Sequence, residues 1–310
     1  MGSIVAEQQP TTNLCAVVTG ANKGIGLAVV RQLAELGVTV VLTARDVSRG
    51  TAAARSLHSS GLSNILFHQL DVSDPISAAS LAGFLSDRFG RLDILVNNAA
   101  ASGVVVSVER LAALNIDADG FLSGKTTNLV KQVMEHTHES AVACIEINYF
   151  GCKRVTEALL PLLRLSPSGA RIVNVSSTNS ELKQNKTEGI REELADGAKL
   201  DEERIEKILG RFLEDSKEGK LEAGGWPTML PAYSISKMAV NAYTRGPRGT
   251  CEERIEKILG RFRIKGGKVN WNTGVETADE GARGPVMLAL LPAGGPSGRY
   301  FRKTAAMADF

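Results

Sequence analysis

Tyr233 and Lys237 stand four residues apart in the run Tyr-Ser-Ile-Ser-Lys, a spacing that puts both side chains on one face of a helix. An ammonium group beside a phenol stabilises the phenolate, and is expected to pull the tyrosine pKa down from its usual value of about 10. A phenol tuned in this way can act as general acid towards a carbonyl oxygen under reduction. Ser177, in the pair Ser176-Ser177 after the run Arg-Ile-Val-Asn-Val, offers a second hydroxyl to the same oxygen as charge develops on it. A tyrosine and a lysine at this spacing more often decorate a solvated helix face. Here an upstream run gives them something to act with.

That run is Thr19-Gly20-Ala21-Asn22-Lys23-Gly24-Ile25-Gly26. Its glycines permit a tight turn and a close backbone approach to a pyrophosphate, and a following helix would add its N-terminal amides and positive dipole end. The turn follows the apolar run Leu14–Val18 and precedes apolar residues at helical spacing from Ile25 to Leu36, the context a dinucleotide cradle needs. Gly20, Asn22, Lys23, Gly24, Ile25 and Gly26 are therefore candidate cofactor-binding residues.

A carboxylate at the end of the second strand would favour NAD. Thr43-Ala44-Arg45-Asp46 stands there, and Lys23 lies inside the turn. Two cations beside the adenosine 2′ position suit a phosphate, which Arg45 can grip with two donors, so NADPH is expected over NADH. Asp46 is the residue that argues for NAD. Asp71-Val72 follows the third strand-like run, where Asp71 either accepts the adenine amino group or caps the turn before Asp74-Pro75. Asn97-Asn98 ends the fourth, where paired amides can tie strand ends together and line a nucleotide crevice.

These residues need a scaffold. Strand-like runs at Leu14–Val18, Val38–Thr43, Ile65–Leu70, Leu92–Val96 and Arg171–Val175 alternate with helical stretches. The alternation predicts an α/β fold, a single doubly wound Rossmann domain over 14–310 whose parallel sheet is flanked by helices, after a disordered tail over 1–13. A chain of 310 residues, 43% of them hydrophobic, can build one such core. A net charge of +2 gives no reason to expect nucleic acid or an anionic membrane as partner. No apolar run reaches the roughly 18 residues of a membrane span, and residues 1–13 lack the pattern of a secretory signal. Cys15, Cys144, Cys152 and Cys251 show no C-x-x-C spacing and read as free thiols in a reducing compartment, without a metal site. A cytosolic protein is expected.

Two stretches depart from this rhythm. Residues 178–232 are rich in charge and read as a surface excursion. Within it Ile205, Ile208, Leu209, Phe212 and Leu213 form one apolar stripe behind Asp201, a candidate N-cap, so a helix should lie on the domain here. Further on, Glu252 to Phe262 repeats Glu202 to Phe212 letter for letter. Solenoid repeats drift and recur several times, whereas this is a single perfect copy. Two readings stand, a real duplication and a fault in the sequence as read.

Together the glycine turn, Asn97-Asn98-Ala99-Ala100, the Val-Ser-Ser strand end and the Tyr233/Lys237 pair resemble the short-chain dehydrogenase/reductase family. The resemblance covers about Leu14 to Arg245 and resumes around Asn270 to Phe301. It implies a catalytic tetrad of Asn148, Ser177, Tyr233 and Lys237, with Asn148 holding a water in a proton relay with the lysine, which also binds the nicotinamide ribose. Most members separate the serine and tyrosine by about a dozen residues. The long insertion here resembles the monomeric carbonyl reductases, most of all the plant branch of salutaridine and neomenthol (menthone) reductases. That branch implies a monomer reducing a terpenoid or alkaloid ketone, with the insertion covering a face used elsewhere for oligomerisation. Related plant enzymes that reduce a C=C bond carry glutamate where Tyr233 stands. The family also places a V-N-x-x-x-P-G strand and turn over the nicotinamide, and residues 246–269 contain none. If that segment is genuine, the chain reads as an impaired NADP(H) binder, a sensor or interaction module.

Overall fold

The computed structural model describes residues 14–106, 133–180, 188–195, 201–228, 230–245, 277–292, 300–302 and 305–307. The expected tail over 1–13 and the anomalous segment 246–269 lie outside the described residues. In chain order the strands are β1 (Cys15–Val18), β2 (Thr39–Ala44), β3 (Ile65–Gln69), β4 (Ile94–Asn97), β5 (Val105–Val106), β6 (Met134–Glu135), β7 (Arg171–Asn174), β8 (Tyr300–Arg302) and β9 (Ala305–Met307). The helices are α1 (Gly24–Glu35), α2 (Val47–Ser59), α3 (Pro75–Phe89), α4 (His138–Ile145), α5 (Gly151–Leu163), α6 (Glu188–Ala195), α7 (Glu202–Lys217), α8 (Pro231–Arg245) and α9 (Ala278–Ala289).

Every residue of β1, β4 and β7 is buried, which is why they read as continuous apolar runs and not as alternating ones. Alternate residues serve opposite faces of the sheet. Ala16 and Val18 pack with Val29 and Leu33 of α1 and Ala282 and Leu288 of α9. Cys15 and Val17 pack on the other side with Leu81 and Leu85 of α3 and Val155 and Leu159 of α5. The five main strands run parallel in the order β3-β2-β1-β4-β7, so the chain reverses its direction of travel at β1. At such a switch point the carboxyl ends of β1 and β4 open a crevice, the place where this architecture binds nucleotides. The expected doubly wound domain is present. Among the described residues no helix is long and apolar enough to cross a membrane.

Helix α7 is the helix expected from the charged insertion. Asp201 caps it by accepting from the Arg204 amide at 2.9 Å. Ile205, Ile208, Leu209 and Phe212 are buried in a third cluster with Tyr149, Ile235 and Ala239, and Leu213 packs at its edge. Lys153 on α5 ties the polar flank down, 2.9 Å from Glu202 and 2.8 Å from Glu206.

Helices α4 and α5 run on through a π-helical turn, Glu146–Phe150, in which the Gly151 amide reaches back to the Glu146 carbonyl. The wide turn carries Asn148. Such turns recur at functional sites because the extra residue redirects a side chain.

Candidate active site

The cradle comes first. Gly20 and Gly24 adopt φ of +61° and +57°, which side-chain-bearing residues rarely do. A Cβ on Gly20 would also stand 2.8 Å from the Ala99 Cα. The Thr19 hydroxyl accepts from the amides of Asn98 and Ala99, both at 2.9 Å. Asn98 Nδ2 donates to the carbonyls of Thr19 at 2.9 Å and Gly20 at 3.1 Å. Asn98 thus stitches the end of β4 to the turn, so its amide shapes the cradle from behind. Ile25 points into the core, leaving only its main chain for a phosphate. Asn22 is half-buried in the turn, and Lys23 at the N-cap of α1 makes no side-chain cap, so no cap there competes with a phosphate for the first-turn amides.

Lys23 and Arg45 are both exposed and carry no ion-pair partner among the described residues. Asp46, the residue that argued for NAD, is already committed. Its carboxylate caps α2 by accepting from the Arg49 amide at 2.8 Å, and it lies 3.8 Å from the Arg49 guanidinium. The pair of exposed cations fits a 2′-phosphate, and the Asp46 carboxylate has a structural role of its own as the cap of α2. Asp71 does the work of its turn, accepting with Oδ1 from the amide and hydroxyl of Ser73 at 3.0 and 2.6 Å. Val72 is buried against Gly151, and its carbonyl accepts from Arg154 at 2.7 Å.

At the reacting end, three polar contacts set the register of α8 on the segment that begins with β7. Lys237 Nζ donates to the Val175 carbonyl at 2.8 Å, Ser176 Oγ to Asn241 Oδ1 at 2.7 Å, and Asn174 Nδ2 to Thr244 Oγ1 at 3.0 Å. That register places the Ser177 hydroxyl beside the Tyr233 phenol, where it favours the phenolate. The Lys237 ammonium lies 5.9 Å from the centroid of the Tyr233 ring. Ser177, Tyr233 and Lys237 are therefore one constellation at the mouth of the crevice.

One expectation is overturned. Tyr233 is held above its ordinary pKa, because burial raises it, the neighbouring Ser177 hydroxyl only partly offsets that, and the Cys144 thiol adds to the rise. Lys237 is itself held below its ordinary value by burial. Lys237 is buried and Tyr233 is half-buried, and the desolvation of the pair, not the neighbouring ammonium, sets the direction of the tyrosine shift.

Asn148 is 1% exposed and its amide is engaged at both ends. Oδ1 accepts from the Ala101 amide at 2.8 Å, while Nδ2 faces the Ala101 carbonyl at 3.0 Å, Ser236 Oγ at 2.9 Å and Cys144 Sγ at 3.2 Å. It clamps the loop after β4 to α8. Neither the π turn nor this clamp has a local sequence signal. The back-bonding of Asn98 does have one, in the third glycine of the turn, which a close neighbour requires.

A family model described as short chain dehydrogenase matches residues 14–188. Salutaridine reductase of Papaver bracteatum is 45% identical over 293 residues, 93% of each chain. Human carbonyl reductase (NADPH) 1 is 36% identical, over 92% of this chain and 94% of that one. The solved structure of menthone neomenthol reductase from Mentha piperita superposes with a TM-score of 0.80 at 38% identity, covering 95% of this chain and 100% of that one. A parallel sheet with this switch point, a glycine cradle and a Ser–Tyr–Lys constellation agree with these similarities, and the chain belongs to the short-chain dehydrogenase/reductase family.

Proposed function

We propose that the protein is an NADPH-dependent carbonyl reductase that converts a cyclic ketone of the terpenoid or alkaloid kind into a secondary alcohol. The observation that carries this reading is the Ser177 hydroxyl and the Tyr233 phenol brought side by side, next to the buried Lys237, at the end of a glycine-lined crevice. NADPH, when bound, supplies the hydride. Gly20 to Gly26 hold its pyrophosphate through main-chain amides, and Lys23 and Arg45 hold its 2′-phosphate. With a raised pKa, Tyr233 keeps its proton at neutral pH and can deliver it to the substrate oxygen, which Ser177 orients. Lys237 and Asn148 complete the set.

The substrate class is supported by the names of the relatives, which act on alkaloid and menthane ketones. Tyr233 at the position of a glutamate in C=C reductases supports reduction of the carbonyl. A cytosolic monomer is part of the same proposal, supported by α7 lying across the helical face that α4, α5 and α8 would otherwise present. The test is consumption of NADPH with a panel of cyclic terpenoid and alkaloid ketones, with the product identified. A secondary alcohol supports the reading; a saturated ketone from an enone, or no turnover across the panel, overturns it.

A second reading, an impaired NADP(H) binder, rests on the repeat within 246–269 and the missing Pro-Gly turn. Peptide mass mapping of purified protein across Gly246 to Val269 separates the two. Peptides that match the written sequence favour the binder; a Pro-Gly-containing strand in their place removes its support.

A further inference from the structure

Asn241 follows Lys237 on α8 at the spacing by which Lys237 follows Tyr233, so the three share one stripe of the helix. Asn241 is 0% exposed, and its amide is satisfied at both ends. Oδ1 accepts from Ser176 Oγ at 2.7 Å, while Nδ2 donates to Ser180 Oγ at 2.8 Å and faces the Ser180 carbonyl at 3.3 Å. That carbonyl can only accept, which fixes the nitrogen on its side. The Ser180 hydroxyl in turn donates to the Ser177 carbonyl. A buried chain of hydrogen bonds therefore runs from α8 to the main chain of Ser177.

The remaining contacts of Ser177 show what this hold does. The Ser180 amide also donates to the Ser177 carbonyl, at 3.1 Å, across the 3-10 turn Thr178–Ser180. Within the same turn the Asn179 amide donates to Ser177 Oγ at 3.2 Å. One lone pair of the hydroxyl is taken by the turn, and its proton and second lone pair are left for the Tyr233 side. The turn sets where the hydroxyl points, and Asn241 sets where the turn sits. Apolar side chains of the same shape could fill this space at similar stability. A fully satisfied buried polar network instead specifies one geometry.

We propose that Asn241 and Ser180 are positioning residues that act through Ser177, fixing its hydroxyl relative to the Tyr233 phenol. Fully buried, they meet neither substrate nor cofactor themselves. The kinetic consequence rests on the reductase reading; the placement of Ser177 does not. A positioning residue can cost no more than the group it positions, so the ceiling is the loss of the Ser177 hydroxyl, about 10²-fold.

The test is a double-mutant cycle on the full chain. Ser180→Ala keeps the main-chain bonds of the turn, and is expected to lower kcat about tenfold with NADPH affinity within about twofold of wild type, since small misplacements are felt at a reacting centre. In a Ser177→Ala background the same change should cost less than about twofold, because no hydroxyl is left to position. Asn241→Ala should repeat the pattern; if that variant does not fold, Ser180→Ala carries the test. An unchanged kcat in Ser180→Ala, or an equal loss in both backgrounds, overturns the proposal. Crystals of wild type and Ser180→Ala give a readout independent of turnover. Ser177 Oγ should leave its wild-type place beside Tyr233 by more than about 0.5 Å, the tolerance of a catalytic group, and an unmoved Ser177 overturns the placement. A wild type that reduces no ketone removes the reductase reading alone, and the crystals then decide the placement.

Discussion

The amide nitrogen of Asn98 stands in the space a Cβ on Gly26 would fill, and that Cβ would also come within 2.9 Å of the Ala21 Cα and the Gly20 carbonyl. Asn98 is not free to yield, because the same nitrogen holds the Thr19 and Gly20 carbonyls. Gly26→Ala must therefore push the end of β4 away from the glycine turn. The expected cost is about 1–3 kcal/mol of stability, as for other overpacked sites, with NADPH affinity falling at least about tenfold as the cradle opens, since displacements near 1 Å are felt. Gly83→Ala is the control: nothing lies within 4 Å of its Cβ on α3, and a helix-interior alanine is worth about 0.5–1 kcal/mol. Urea unfolding and cofactor titration check both.

Arg45 and Lys23 are exposed and have no ion-pair partner among the described residues, and Asp46 caps its own helix. Arg45→Ala is expected to weaken NADPH by about 10- to 100-fold, the worth of one charge-assisted contact, and to leave NADH nearly unchanged. Lys23→Ala should act in the same direction and less strongly, since an ammonium is a point charge and not a fork. Dissociation constants for both cofactors decide it. Equal losses for NADPH and NADH would show that neither side chain meets the 2′-phosphate.

In the proposed reaction Tyr233 and Ser177 act on the same oxygen, and kinetics separates their roles. Tyr233→Phe is expected to lower kcat by about 10²- to 10⁴-fold, the range for removing a general acid, with NADPH affinity within about twofold of wild type. Ser177→Ala should lose less, about 10²-fold, because it removes one stabilising hydrogen bond and leaves the acid in place. Turnover that survives in Tyr233→Phe would remove the phenol from the mechanism.

The sheet and its crevice could be read from the sequence because buried parallel strands are written as short apolar runs between turns. The strand read over Val38–Thr43 is Thr39–Ala44, and the helix read over Ile25–Leu36 is Gly24–Glu35. The tyrosine and lysine share a face because four residues is one helical turn, which needs no tertiary knowledge. What surrounds them does need it. The upward shift of Tyr233 arises from segments distant in the chain closing over it, and a model based on the neighbouring lysine alone gets its sign wrong. Asn97 and Asn98 read alike as paired amides, yet one bonds to β7 and α5 and the other to the glycine turn. Only packing separates their roles.

The insertion helix is held by apolar burial far more than by charge. Phe212 is fully buried and stacks edge-on against Trp226 at 5.2 Å between centroids. Phe212→Ala should cost about 3–5 kcal/mol. Lys153→Ala removes two ion pairs whose side chains are 21% to 36% exposed, and pairs of that kind are worth at most about 1 kcal/mol each. Chemical denaturation of the two variants compares them directly. A larger loss from Lys153→Ala would mean that the polar flank, and not the stripe, docks α7.

Two buried thiols make the fold sensitive to alkali. Burial holds Cys144 up to about 11 and Cys15 up to about 12, the latter also raised by Asp93, against an ordinary 9.0. A group whose folded pKa is raised gives stability that is complete below its unfolded pKa and is lost as pH climbs towards the folded one. For Cys144 that window runs from pH 9 to about 11. Lys237, shifted the other way, stabilises over part of the same range, so the wild-type curve alone mixes the two signs. The difference between wild type and Cys144→Ala isolates the thiol. At pH 8 the variant pays for its lost packing in full. Between pH 8 and 10.5 the wild type loses about 2 kcal/mol through Cys144, at 1.36 kcal/mol per pKa unit, and the variant does not. The stability gap between them should therefore narrow by about that amount in urea titrations. A gap that stays constant would show that Cys144 titrates as an ordinary exposed thiol and that burial does not control it.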